Sequence, residues 1–152
     1  MKKILLSLLA VVMMAFVVTS CSSDDSSSDN AYENLIGTWN KVADVQTGST
    51  TDIEDCIDKE RLAFSSNGTL TITSFSGTDF NNCQEVSTTN GRWEYLGSNN
   101  YLIYPVGTTI TNENRPLYSY VITFHNNNVE MRRFVQLAHQ TGINSYERYL
   151  RQ

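Results

Sequence analysis

Side chains that could perform catalysis or hold a metal ion are scarce: the 152 residues include three cysteines and two histidines. His125 and His139 lack close ligand spacing to any cysteine, so no metal site is predicted. The motifs Gly-x-Ser-x-Gly and His-Glu-x-x-His are both absent. The acidic run from Asp52 to Asp58 lacks the glycine of a calcium-binding loop and is typical of a solvated surface. We therefore expect a protein that is not an enzyme and has no metal or cofactor.

Net charge and glycine motifs exclude two further classes of function. The formal net charge is -5, whereas binding to nucleic acid needs a basic face that displaces counterions from phosphates. Neither Gly-x-x-x-x-Gly-Lys nor Gly-x-Gly-x-x-Gly occurs, so neither common phosphate-binding loop is present. We expect no nucleic-acid partner.

The first residues have the pattern of an export signal. Lys2 and Lys3 precede an apolar run, residues 4–18, that only Ser7 interrupts. The run is slightly short for a membrane-spanning helix, which needs about 20 residues. It ends in Val18-Thr19-Ser20-Cys21, which resembles the lipobox of bacterial lipoproteins, where the peptide is cut before the cysteine. The alternative is an ordinary signal peptide followed by a chance cysteine.

The lipobox resemblance implies that residues 1–20 are removed and that acyl chains on Cys21 anchor the protein in a membrane. The polar residues that follow predict a disordered Ser/Asp tether over residues 21–33. Ser23-Asp24-Asp25 resembles a short acidic signal that sends some lipoproteins to the outer face of the outer membrane; the alternative is a plain spacer. We expect a lipid-anchored protein of the bacterial outer membrane, exposed at the cell surface if this signal acts.

Two cysteines remain once Cys21 is assigned to lipid. In an exported chain, Cys56 and Cys83 are most economically interpreted as one disulfide. Closing a loop of this length would stabilise the fold by about 3.5 kcal/mol in the chain-entropy model.

The rest of the chain, residues 34–152, has the pattern of an all-β domain. From Leu35 onward no sustained period of 3.6 residues occurs, and short alternating runs are separated by clusters of Asn, Gly and Ser. Sequential hairpins of this kind predict about eight or nine antiparallel strands in up-and-down order. Closure into a single β-barrel would remove the exposed sheet edges.

Loop length and the need to keep apolar residues on one face predict the hairpin registers. The loop Ser66-Asn67-Gly68 predicts that Phe64 pairs with Leu70. The other predicted pairs are Trp93 with Tyr104, Tyr95 with Leu102, Ile122 with Met131, Tyr120 with Arg133, Val135 with Tyr146 and Arg133 with Arg148.

These registers place two arginines on one otherwise apolar face. Arg133 and Arg148 would share it with Met131 and Tyr146, and Tyr120 would lie opposite Arg133. An uncompensated interior charge is very costly, so the sequence predicts a partner for each guanidinium. One interpretation is an internal partner, namely Glu113, Glu94 or an aromatic ring, or a wet position at a barrel end. The other is a ligand carboxylate, which makes these five residues the predicted ligand-binding set.

Several motifs resemble those of the lipocalins. Gly37-Thr38-Trp39 resembles the Gly-x-Trp opening of that family, and residues 35–151 are similar to the short lipocalin-like domains of bacterial lipoproteins. The hairpin loop at residues 64–69, the cysteine pair and Gly91-Arg92-Trp93 also match. The resemblance implies an eight-stranded barrel with one open mouth, with Trp39 closing the other end and a late arginine packed over it. Arg148 is the expected arginine, with Arg132, Arg133 and Arg151 as alternatives.

Two functions are expected from this fold. In the first, the barrel holds a small hydrophobic or amphipathic ligand, as the family resemblance implies. In the second, side chains such as Trp39, Phe64 and Trp93 fill the barrel, and an accessory lipoprotein acts through its surface. Fold alone does not choose between them.

Overall fold

A computed structural model describes residues 26–135 and 145–152. The predicted signal peptide, Cys21 and Ser23-Asp24-Asp25 lie outside the described residues. The described chain forms one α-helix and nine β-strands. They are α1 (Ser26–Leu35), β1 (Gly37–Gln46), β2 (Ser49–Asp52), β3 (Glu60–Phe64), β4 (Thr69–Ser76), β5 (Gln84–Gly97), β6 (Asn100–Pro105), β7 (Ser119–His125), β8 (Glu130–Val135) and β9 (Tyr146–Arg151).

The strands close into a barrel, which confirms the predicted all-β fold. Each strand from β3 to β9 pairs antiparallel with the next, and β1 pairs with both β3 and β9. Eight strands therefore form a closed up-and-down barrel. The short strand β2 pairs only with the second half of β1, at residues 43–46.

The first predicted register is confirmed, because Phe64 pairs with Leu70 and Leu62 with Ile72. The second is wrong by one residue: Trp93 pairs with Ile103, not Tyr104, and Tyr95 pairs with Tyr101. Ser98 and Asn99 both have positive φ, which makes a tight two-residue turn, and a bulge between Tyr95 and Gly97 precedes this turn. The sequence suggested a four-residue loop instead.

The registers of β7, β8 and β9 also differ from the predictions. Ile122 pairs with Arg133 rather than Met131, a shift of two that keeps every side chain on its predicted face. The loop begins one residue later than predicted, at Asn126, and Asn126, Asn127 and Asn128 all have positive φ. Between β8 and β9 the shift is one residue, so Arg133 pairs with Glu147 instead of Arg148. This slip of one residue places each side chain of β9 on the face of the sheet opposite to the predicted one.

A helix covers one end of the barrel. Residues 26–33, predicted as part of the tether, belong to α1, which makes specific contacts with the barrel. Tyr101 Oη donates to the carbonyl oxygen of Ala31 at 2.9 Å, and the ring of Tyr32 lies 4.9 Å from that of Trp93. The end of this segment is therefore not a plain tether, because Tyr32 and Leu35 pack on the barrel. None of the helices in the described part of the chain is long and apolar enough to span a membrane.

Trp39 lies at this covered end, which we call the closed end. Its side chain is fully buried, and its Nε1 donates to the carbonyl oxygen of Leu35 at 2.9 Å. The guanidinium of Arg151, not of Arg148, lies over the Trp39 ring at 4.6 Å from its centre, and Nη2 of Arg151 donates to the carbonyl oxygen of Asn34. Arg148 cannot reach the ring, because the slip of β9 turns it to the outer face.

The disulfide between Cys56 and Cys83 is confirmed, with the two Cα atoms 5.4 Å apart. Cys56 lies between β2 and β3, and Cys83 lies between β4 and β5. Both loops are at the end of the barrel opposite α1, which we call the open end. The bond therefore joins two neighbouring loops at the rim of that end.

Substitution of Arg151 by Met should lower the free energy of unfolding by about 1–2 kcal/mol, because it removes one cation–π contact and one hydrogen bond to α1. Arg148→Met is the matched control. Its ion pair with Asp52 is at 3.4 Å and exposed, so we expect a loss below about 0.5 kcal/mol. Urea unfolding followed by tryptophan fluorescence measures both. Equal losses in the two variants would contradict the assignment of Arg151.

Candidate functional site

A cavity of about 300 Å³ opens at the open end of the barrel. Its wall is largely apolar and aromatic, with two charged side chains among the lining residues. These residues include Glu60, Ile72, Thr89, Gly91, Ile103, Leu117, Tyr118, Tyr120 and Arg133. Below the cavity the interior is filled by the barrel's own side chains, among them Trp39, Leu62, Phe64, Trp93 and Tyr101.

Arg133 lies between two carboxylates on the inner face of the barrel. Its Nε donates to Glu147 Oε2 at 2.6 Å, and its Nη2 donates to Glu60 Oε1 at 3.1 Å. The rings of Tyr120 and Tyr149 lie 5.5 and 5.2 Å from the guanidinium carbon. Tyr149 Oη also donates to Glu60 Oε1, at 2.6 Å. The guanidinium is thus compensated within the protein.

A bulge in β1 adds two more charged side chains to this group. Lys41 pairs with Tyr149 and Asp44 with Glu147, with the register shift between them. Because paired residues share a face, the extra residue places both Lys41 and Asp44 on the inner face. Lys41 Nζ lies 3.4 Å from Glu147 and 3.0 Å from Asp44. We call Lys41, Asp44, Glu60, Arg133, Glu147 and Tyr149 the inner charge cluster.

The cluster holds Arg133, Glu147 and Tyr149 in their ordinary ionisation states at neutral pH. Burial alone would lower the pKa of Arg133, but Tyr149, Glu147 and Glu60 outweigh it and the pKa is raised. Burial would raise the pKa of Glu147, but the charges of Arg133 and Lys41 outweigh it and the pKa is lowered. Burial raises the pKa of the Tyr149 hydroxyl well above its usual value. Tyr149 therefore keeps its proton and acts as a donor.

The structure brings together only part of the predicted ligand-binding set. Arg133 and Tyr120 both line the cavity. Met131 is fully buried in the core. Tyr146 and Arg148 lie on the outer face, where Tyr146 packs against Phe134 with ring centres 5.1 Å apart. Arg133 has internal partners, which are aromatic rings as one interpretation expected, together with Glu60 and Glu147 in place of the expected Glu94 and Glu113.

Sequence reasoning missed Glu60 as a site residue, although the signal was available. Glu60 alternates with Leu62 and Phe64 along β3, so the confirmed register of that hairpin already places its side chain inside the barrel. The same alternation places Lys41 on the face of Trp39 along β1. The inner positions of Asp44 and Glu147 were not identifiable in this way, because they depend on the bulge in β1 and on the slip of β9, neither of which has a motif.

The composition of the cavity wall is suited to binding a small molecule. Within residues 26–135 and 145–152, His, Cys, Asp and Glu side chains form no group of three that could hold a metal ion. An apolar wall with a few fixed polar groups is the usual composition of a small-molecule pocket.

Comparison with known proteins agrees with this geometry. The sequence matches the family model described as a lipocalin-like domain over residues 35–131. A search of curated proteins found no match.

Replacing Glu147 by Gln should destabilise the fold by about 3 kcal/mol at pH 7, because it leaves Arg133 and Lys41 undercompensated. Since the pKa of Glu147 is lowered in the folded state, its stabilisation is complete above the unfolded value, about 4.3, and is lost as pH falls through the folded value. The difference between wild type and variant should therefore shrink below about pH 4.

Unfolding by urea across that pH range measures this difference. Substitution of exposed Glu113 by Gln is the control and should change stability by less than about 0.5 kcal/mol at every pH. A difference for Glu147→Gln that does not depend on pH would show that its ionised form does not stabilise the cluster.

Proposed function

Because the chain belongs to the family of lipocalin-like domains, we propose that it binds a small hydrophobic or amphipathic molecule in the open end of its barrel. The cavity of about 300 Å³ carries this proposal. Its size is at the lower limit for small-molecule sites, which are about 300–1,000 Å³. A ligand would place its apolar part against Ile72 and Ile103 and its polar end near Glu60 and Arg133.

The closed end supports the same proposal by limiting where a ligand can bind. Trp39, Leu62 and Tyr101 are fully buried there, and α1 covers them. A molecule entering from the open end would therefore stop above this packed layer. The cavity can hold one short chain or one ring system, rather than a long acyl chain that extends through the barrel.

We further propose that the protein is anchored to the bacterial outer membrane through acyl chains on Cys21. The chain enters the barrel through α1, at the closed end. An anchor on that side would leave the cavity at the opposite end free for a ligand. In this arrangement the domain is a membrane-attached binding module whose mouth faces away from its attachment point.

Thr89→Trp should abolish ligand binding, because Thr89 lines the cavity and an indole would fill much of its volume. The adjacent Thr88→Trp is the matched control, since Thr88 pairs with Thr73 on the outer face of the same strands. Titration with N-phenyl-naphthylamine, an uncharged probe that fluoresces in apolar sites, should be saturable for wild type and Thr88→Trp. Binding that survives Thr89→Trp would overturn the cavity as the binding site. No saturable binding by wild type would favour the alternative of a filled barrel acting through its surface.

Cys21→Ser should abolish acylation, because serine has no thiol to form the thioether. In bacterial cells, the wild type should partition into detergent and gain the mass of its acyl chains, while the variant should remain in the aqueous phase. Ser22→Ala, one residue away, should behave as wild type. Equal partition of the wild type and Cys21→Ser would refute the proposed anchor.

A further inference from the structure

We infer that the cavity selects a ligand whose polar end donates hydrogen bonds and carries no negative charge, with Glu60 as its acceptor. Alcohols and protonated amines have this chemistry, whereas fatty-acid carboxylates do not. The inference rests on the proposed function and adds the class of head group. It depends on three observations: the hydrogen bonds that Arg133 already makes, the side-chain oxygen of Glu60 to which no described residue donates, and the net charge of the inner charge cluster.

Arg133 already pairs with two carboxylates of the protein. A ligand carboxylate binds a guanidinium best through two parallel N–H groups, and Arg133 uses Nε and Nη2 for Glu147 and Glu60. The rings of Tyr120 and Tyr149 lie 5.5 and 5.2 Å from its guanidinium carbon. A carboxylate ligand would have to bind through the remaining N–H groups beside Glu60 and Glu147, or displace one of these two carboxylates.

Glu60, in contrast, is open toward the cavity. Its hydrogen bonds from Arg133 and Tyr149 both end on Oε1, and no described residue donates to Oε2. The side chain is 26% exposed and lines the cavity. An ionised carboxylate oxygen is a strong acceptor, so a hydroxyl or ammonium group of a ligand would find a partner there.

The charge of the inner cluster acts in the same direction. Two cations, Lys41 and Arg133, face three carboxylates, those of Asp44, Glu60 and Glu147. Glu60 and Arg133 are the charged residues among those that line the cavity. A ligand anion in the cavity would therefore lie beside a cluster with one more carboxylate than cations, in a partly buried environment where repulsion is weakly screened.

Three probes with the same alkyl chain test this inference: octylammonium, octanol and octanoate, each titrated into the full chain by calorimetry. We expect octylammonium and octanol to bind, and octanoate to bind at least about tenfold more weakly, as for the loss of one charge-assisted hydrogen bond. Octanoate binding as tightly as octylammonium would overturn the inference. If octanoate is preferred while Thr89→Trp still blocks binding, the proposed function stands and only the head-group assignment is wrong.

Glu60→Gln identifies the acceptor. It should weaken the binding of octylammonium at least about tenfold and reduce the difference in affinity between octylammonium and octanoate. Glu33→Gln makes the same charge change on α1 and should leave the affinities of all three probes unchanged. Thermal unfolding checks that the variant is folded; if it is not, the ranking of the three probes on wild type decides alone. An unchanged preference in folded Glu60→Gln would overturn the role of Glu60. If none of the probes, including N-phenyl-naphthylamine, binds, the proposed function and this inference both fail.

Discussion

The open end of this barrel depends on one constraint. The guanidinium of Arg133 lies inside the barrel and needs negatively charged partners there. Without carboxylates beside it, the charge of Arg133 would cost far more than the surrounding apolar contacts could offset. Glu147 and Glu60 supply that compensation from β9 and β3, two strands that do not pair with each other. Arg133 and Glu147 are direct partners on neighbouring strands, whereas the ion pair with Glu60 crosses the interior and keeps polar groups where a fully apolar core would otherwise continue.

The barrel is divided by this cluster into two parts with different properties. Toward α1, aromatic and aliphatic side chains fill the interior, and Trp39 is held by a hydrogen bond to Leu35 and by the guanidinium of Arg151. Toward the other end, charged side chains need hydration or partners and cannot pack as densely as hydrocarbon, which is consistent with a cavity at that level. Whether an end of the barrel is packed or holds a cavity therefore depends on which residues occupy the inner positions, and not on the number of strands.

Prediction from the sequence succeeded where interactions are local. The hairpin around Ser66-Asn67-Gly68 was predicted in its correct register, because loop type and two apolar pairs agree. The disulfide was also predicted correctly, since an exported chain with two remaining cysteines has few alternatives. Prediction failed by one residue at Ser98-Asn99 and between β8 and β9. A bulge or a turn of unexpected length shifts every later pair, and single-residue shifts leave little trace in the hydrophobic pattern.

By itself the sequence determined the all-β class, the up-and-down order, the cysteine pair and the presence of arginine on an inner face. These properties follow from alternation, turn residues and composition, which act over a few neighbouring positions. Only the tertiary structure decided that Arg133 faces inward while Arg148 faces outward, that Glu60 and Glu147 meet Arg133, and that Arg151 covers Trp39. Those contacts join residues as far apart in the sequence as Trp39 and Arg151. They exist because closing the barrel brings β9 against β1, in a register that buries one compensated charge instead of two like charges.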